Sequence, residues 1–246
     1  MGSEMCIRDR FNVVIPSRLD SKRLPRKALA VINGKPLIEW VHQRAIESAA
    51  KIVLIATDSE EIASVAKAFG AKVEMTSTDH HSGTDRIFEV CERRNWNDDE
   101  IVVNLQGDNP LMPCENINQI AQMMNECDIA TLSAPLRENE IMDPNVVKVL
   151  SDPINNAAIS FKRNINKDED VKRFRRHIGI YAYRVANLRQ FSLSPQSDDE
   201  QKEKLEQLRA YSLNMRIKVE EAMLIPGPDV DTPDDLDLVQ SILKND

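Results

Sequence analysis

Short apolar runs alternate with stretches of helical period through the first half of the chain. Val13, Val14 and Ile15, then 51–57, 72–75, 101–105 and 129–134, have strand length and few polar residues. That is the pattern of strands covered on both faces in a parallel sheet. Between them, 36–50 carries Leu37, Trp40, Val41 and Ala45 at helical spacing, and 59–69, 84–94 and 116–125 read as helices too. Ser59 is placed to cap its helix, with Glu60 and Glu61 at the positive end and Gly70 as the stop. This rhythm predicts an α/β fold with a mainly parallel, twisted central sheet and helices on both faces. The second half is less regular: strands are expected at 146–150, 178–183 and 218–224, and helices at 200–211 and 233–243. The highly charged stretch 162–176 is expected to be a mobile loop. Residues 11–246 are read as one domain, with a small inserted lobe within about 135–225.

Composition narrows the picture. The 246 residues are 41% apolar and 29% charged, with a formal net charge of -8. An acidic chain of this kind argues against general nucleic-acid binding, which favours broad basic surfaces. No apolar run approaches the ~20 residues a membrane-spanning helix needs. Residues 1–10 lack the apolar core of a signal peptide, and Glu4-Met-Cys-Ile-Arg-Asp-Arg10 resembles a translated sequencing adapter. They are read as a non-native leader, the domain beginning near Phe11. Cys91, Cys114 and Cys127 have neither a C-x-x-C spacing nor a neighbouring histidine to suggest zinc. Reduced thiols and a cytoplasmic location are expected.

Against that acidic background, Arg18, Lys22, Arg23, Arg26 and Lys27 crowd into the stretch after the first strand. A charge run is commonly a solvated loop. Open α/β sheets, however, gather ligands outside the carboxyl ends of their strands, and arginine and lysine there suit phosphates or carboxylates. Neither G-x-x-x-x-G-K-[ST] nor G-x-G-x-x-G occurs, and seven glycines leave little for a glycine cradle. Anion binding must then come from side chains. Asp108, in Gln106-Gly-Asp108 after the 101–105 strand, is placed either to hold Mg²⁺ against phosphate oxygens or to shape a turn. Asp231 precedes the last helix, where it or Thr232 could equally be a cap. His177 stands alone beside Arg175 and Arg176, and His80-His81 precede a Ser-Gly-Thr turn. A zinc site and a Ser-His-Asp triad are both rejected.

These pieces occur together in one family. Val14-Ile-Pro-Ser-Arg18, Arg23-Leu-Pro-x-Lys27, His81-Ser-Gly-Thr-Asp-Arg86, Val103-Asn-Leu-Gln-Gly-Asp108, Asn145-Val-Val-Lys148, Arg176-His-Ile-Gly-Ile-Tyr181, Leu205-Glu-Gln-Leu-Arg209 and Val230-Asp-Thr-Pro-x-Asp-Leu236 run in order. The chain thereby resembles the 3-deoxy-manno-octulosonate (Kdo) cytidylyltransferases, the CMP-Kdo synthetases, from about Phe11 to Leu243. The resemblance implies a Rossmann-like nucleotidyltransferase fold and an Mg²⁺-dependent reaction of CTP with a 2-keto-3-deoxy sugar acid, for lipopolysaccharide synthesis. It also implies a homodimer. By matching position it implies Arg18 and Lys27 as a triphosphate clamp, with Arg23 near the nucleotide and Ser82 and Arg86 on the cytosine side. Asp108 and Asp231 would be the metal ligands, and Gln106 a contact to nucleotide or sugar. His177, Tyr181, Glu206 and Gln207 would form the sugar-acid pocket.

Three departures stand out. The family's Gly-Lys-Pro is Arg26-Lys27-Ala28, its Gln-Gly-Asp-Glu-Pro has Asn109, and its Tyr-Phe-Ser-Arg-x-x-Ile-Pro segment is replaced within 159–166. There the family's arginine becomes Lys162 or shifts to Arg163. These changes raise the alternative of a paralogue for an 8-amino octulosonate or a nonulosonate. A second alternative is a nucleotide sensor without turnover, which has less need of both Asp108 and Asp231.

Overall fold

β1 (Phe11–Ser17) is buried along its whole length and lies within the sheet because both its faces are apolar. Val13 and Ile15 pack into one hydrophobic cluster and Val14 into another. The structure, a computed structural model, describes residues 11–21, 23–80 and 82–244. The expected leader at 1–10, the Lys22 cation and His81 lie outside the described residues.

After β1 come β2 (Val31–Ile32), β3 (Lys35–Pro36), α1 (Leu37–Ile46), β4 (Ile52–Thr57), α2 (Glu60–Ala68), β5 (Lys72–Met75), α3 (Gly83–Arg93) and β6 (Ile101–Asn104). Then follow α4 (Cys114–Gln122), β7 (Ile129–Ala134), β8 (Lys148–Ser151), β9 (Ala158–Lys162), β10 (Arg175–Arg184) and α5 (Val185–Leu193). The chain closes with α6 (Asp198–Glu203), α7 (Leu208–Ser212), β11 (Ile217–Glu221) and α8 (Pro233–Ile242).

The main sheet runs β11-β7-β10-β6-β1-β4-β5. β1 is parallel to β4 and β6, β4 to β5, and β11 to β7, while β10 is antiparallel to both neighbours. This is the expected mainly parallel sheet, with one strand reversed. α1, α2 and α4 contribute to the cluster around Val13 and Ile15, and α3 and α5 to the cluster around Val14. From β1 the chain works outward to β4 and β5, then returns to add β6 on the other side of β1. The carboxyl ends of β1 and β6 therefore flank a topological switch point, where this sheet type opens a crevice.

Several expectations needed correction. The helix expected at 200–211 is two short helices, because Lys204 turns left-handed (φ 55) after Glu203. The stretch 162–176 is not all loop: Lys162 ends the unforeseen strand β9, and Arg175 already opens β10. The stretch 135–225 supplies β10 and β11 to the main sheet, and also the β8–β9 hairpin beside it. Ser59 does cap α2, accepting from the Ile62 N–H at 3.3 Å.

Candidate active site

The loop after β1 brings its last cation back into the crevice. Lys27 Nζ donates to Asp108 Oδ2 at 2.7 Å and to Asp231 Oδ1 at 2.9 Å, and Arg23 Nη2 lies 2.8 Å from Asp231 Oδ2. Asp108 follows β6 at the switch point. Asp231 precedes α8, whose cap is Thr232: its hydroxyl accepts from the Asp235 N–H, and the Asp235 carboxylate takes the N–H groups of Asp231 and Thr232. That reciprocal arrangement leaves the Asp231 carboxylate for the crevice. Burial pulls the Lys27 ammonium down, but Asp108 and Asp231 outweigh it and hold its pKa above the usual 10.5. Lys27 is thus fully charged at neutral pH.

A third carboxylate, Asp229, was missed in the sequence. Its pKa is pushed up to about 7, first by desolvation and then by the charges of Asp108 and Asp231, with Arg176 and Lys27 pulling the other way. The residue is exposed, so solvent screening works against that rise. The spacing from Asp231 was the available signal, since alternate residues of an extended segment share a face. Among the described residues no cluster of three or more His, Cys, Asp or Glu is arranged around one metal position. Asp108 and Asp231 nevertheless converge on a single cation, the Lys27 ammonium. Two carboxylates plus substrate phosphates is the donor set Mg²⁺ commonly takes, so these residues fit the ion.

The crevice is a cavity of about 820 Å³. Arg18, Arg23, Lys27, Gln106, Asp108 and Asp231 line it, together with His80, Ser82, Gly83 and Arg86. Ser82 caps α3, accepting from the Asp85 N–H at 3.1 Å. Gln106 Nε2 donates to Asn104 Oδ1 at 3.1 Å. Arg86 is 3% exposed; it donates to Asp58 at 2.6 Å, to the Ser77 carbonyl at 3.3 Å and to the Thr76 hydroxyl. Those bonds make it a brace for the cavity wall. Gly107 fits against the end of β1 so closely that a Cβ there would lie 2.9 Å from the Pro16 carbonyl oxygen. Gly107→Ala must therefore shift the loop bearing Gln106 and Asp108. A displacement of a fraction of an ångström is expected to slow turnover about tenfold, measured as kcat in a protein of near-normal melting temperature.

The four residues expected around a sugar lie apart from that cavity. Glu206 lines a second one of about 380 Å³, which shares Ser82 with the first. It accepts from Thr84 Oγ1 at 2.7 Å, while its Oε1 is shut off from solvent with no hydrogen-bond donor among the described residues. Burial pushes its carboxyl above the usual range, against the Thr84 hydrogen bond, the influence of the Ser82 hydroxyl and the Arg209 charge. His177 shares a 2.9 Å hydrogen bond with Thr131 Oγ1 and meets the Phe161 ring edge-on. Burial lowers its pKa to about 3, so the imidazole is neutral at physiological pH. Tyr181 stacks on Tyr183 and meets His177 at a tilt, its phenol pKa raised by burial and Glu206. Gln207 is buried. His177, Tyr181 and Gln207 line neither cavity.

Comparison with known proteins decides the family. Residues 12–217 match the family described as Cytidylyltransferase. A 3-deoxy-manno-octulosonate cytidylyltransferase of Saccharophagus degradans is 46% identical over 96% of this chain and 99% of its own length. One from Thioalkalivibrio sulfidiphilus is 42% identical over 95% and 99%. The chain belongs to the 3-deoxy-manno-octulosonate cytidylyltransferase family. A solved CMP:2-keto-3-deoxy-manno-octonic acid synthetase complexed with CTP superposes with a TM-score of 0.88, at 36% identity, over 96% of this chain and 99% of that one.

Membership makes the three departures readable. Arg26 adopts the left-handed conformation (φ 57) that glycine takes most readily, and its guanidinium reaches out to Glu61 of α2. It lies outside the cavity lining. Arg26 therefore fills the backbone role of the family's glycine without entering the crevice. Arg26→Gly is expected to change stability by less than about 1 kcal/mol, relief of left-handed strain being offset by chain entropy and an exposed ion pair. CTP affinity, read by calorimetry, should stay the same; a tenfold loss would return Arg26 to the phosphates. Asn109 is buried and puts a neutral amide beside Asp108. Lys162 pairs with Glu169 at 2.6 Å, and Arg163 donates to the carbonyls of Pro144, Glu203 and Lys204.

Proposed function

We propose that this protein transfers CMP from CTP to the anomeric hydroxyl of Kdo, giving CMP-Kdo and pyrophosphate. The carrying observation is the convergence of Lys27, Arg23, Asp108 and Asp231 at the switch point, in a chain whose relatives are named for this reaction. The sugar oxygen forms a bond to the α-phosphorus and gives up its hydroxyl proton to water, as the bond from that phosphorus to the β-phosphate oxygen breaks and pyrophosphate carries the electron pair away. Asp108 and Asp231 would hold Mg²⁺, which when bound offsets the charge of the phosphate oxygens. The protein's own work is positioning and charge. Arg18 and Lys27 grip the triphosphate, Arg23 steadies Asp231, and Gln106 supplies an amide between nucleotide and sugar. Ser82 and the braced Arg86 shape the base side. On the sugar side, Oε1 of Glu206, without a donor among the described residues, suits a hydroxyl, and neutral His177 with Tyr181 and Gln207 offers both donors and acceptors.

An enzyme that consumes CTP belongs in the cytoplasm, and no helix among the described residues is long and apolar enough to cross a membrane. The exposed run Met223, Leu224 and Ile225 is consistent with a homodimer, to be measured by light scattering. The deciding assay is pyrophosphate release with Mg²⁺, CTP and a panel of 2-keto sugar acids. Release with Kdo supports the proposal. Release only with an amino-substituted or nine-carbon acid would make the protein a paralogue, and silence with all of them would make it a nucleotide sensor.

A further inference from the structure

Two residues of the Leu205-Glu-Gln-Leu-Arg209 motif, Glu206 and Gln207, have a place on the sugar side; the motif's arginine does not. Arg209 is 3% exposed and its partner Glu200 4%. Its Nε donates to Glu200 Oε2 at 2.8 Å and its Nη2 to Glu200 Oε1 at 2.6 Å, a bidentate pair. Nη1 donates to the Phe191 carbonyl at 3.2 Å, and the guanidinium lies 4.6 Å from the centre of the Phe191 ring. Every edge of Arg209 is thus fixed to α5 or α6. The residues between the pair form the turn that breaks α6 from α7, where Lys204 is left-handed. Arg163 secures the same turn from outside by taking the Glu203 and Lys204 carbonyls at 3.2 Å each.

This clamp has a consequence for Glu206. The turn holds its carboxylate against Thr84 at 2.7 Å, with Arg209 Nη2 at 3.8 Å from Oε1, too far for a hydrogen bond. Oε1 is left inside the protein without a donor among the described residues, beside a cavity lined by Ser82, Gln196, Gln201 and Lys204. A buried carboxylate oxygen kept short of a donor is a costly arrangement, and it fits a site in which a ligand hydroxyl supplies the missing bond. Had the Arg209 fork been free to turn, it could have satisfied Glu206 itself. Its commitment to Glu200 prevents that.

We propose that Arg209, through its buried pair with Glu200, is a positioning residue that keeps Glu206 open to a hydroxyl of the sugar acid. The proposal rests on the reading of Glu206 as a sugar-side residue. Arg209→Lys keeps the charge and loses the bidentate grip. It is expected to raise the KM for Kdo at saturating CTP about tenfold or more, with CTP affinity by calorimetry unchanged. Glu200→Gln, which retains an acceptor for the guanidinium, is the milder second variant and should raise the same KM several-fold. A purely structural role would instead lower the melting temperature and move both substrates together. Unchanged KM for Kdo in the folded variants, or parallel loss of CTP affinity, would overturn the proposal. Glu206→Gln separates the two levels. If it raises the KM for Kdo while Arg209→Lys and Glu200→Gln do not, only the positioning role falls. If Glu206→Gln leaves the KM unaltered, the sugar-side reading of Glu206 and the proposal fall together.

Discussion

Replacing Asp108 by Asn is expected to slow pyrophosphate release about a thousandfold, and Asp231→Asn should do the same. The two carboxylates already serve one cation, the ammonium of Lys27, at 2.7 and 2.9 Å. Removing either leaves a metal ion one protein ligand, in a site whose remaining donors must come from substrate. Lewis-acid stabilisation of this kind is worth several kcal/mol, and each 1.36 kcal/mol is a factor of ten in rate. The fold should survive both changes, because Lys27 keeps one partner in each case and Thr232 still caps α8. If the two carboxylates hold one ion they act as a unit, and the double variant should be little slower than either single one. A rate within tenfold of the parent for either, in a protein with unaltered circular dichroism, would remove that carboxylate from the metal site.

The strands bearing these groups were readable because β1, β4 and β6 are buried nearly throughout, so apolar composition alone marks them. β9 was hidden because Phe161 alone of its five residues is buried, and Lys162, a charged strand end, is paired by Glu169 across a loop. The 200–211 stretch misled for the opposite reason. Its residues favour helix locally, but Arg163 takes the carbonyls at 203 and 204 and Arg209 locks onto Glu200, contacts that only tertiary structure supplies.

The candidate site divides along the same line. Arg18 and Asp108 stand just past the ends of β1 and β6, and Lys27 closes the basic loop that follows β1, where sheet architecture makes them suspect. Arg86 reads in the sequence as another ligand group, yet its partner Asp58 sits at the end of a different strand and converts it to a brace. Asp229 had no motif of its own, and its significance depends on β6 delivering Asp108 alongside.

Lys27→Met is expected to have the other large effect, lowering kcat/KM for CTP by a hundredfold or more, since a preorganised cation facing the phosphates acts on charge in the transition state. It should also destabilise the protein by about 1–3 kcal/mol, less than for a fully buried pair because solvent reaches both aspartates. The pH dependence has a definite sign. Lys27 titrates above its ordinary 10.5 in the folded protein, so its contribution is complete below that pH and is lost as the pH rises through the higher folded value. The stability gap between parent and variant should therefore be level through neutral pH and close in strong alkali, as the pH rises past the raised Lys27 value. One further measurement separates this lysine's two relationships. A divalent cation must compete with the ammonium for the same carboxylates, so Lys27→Met should bind Mn²⁺ more tightly than the parent without nucleotide, even as it binds CTP more weakly. Equal Mn²⁺ affinity in the two proteins, measured by electron paramagnetic resonance, would mean that metal and lysine do not share Asp108 and Asp231.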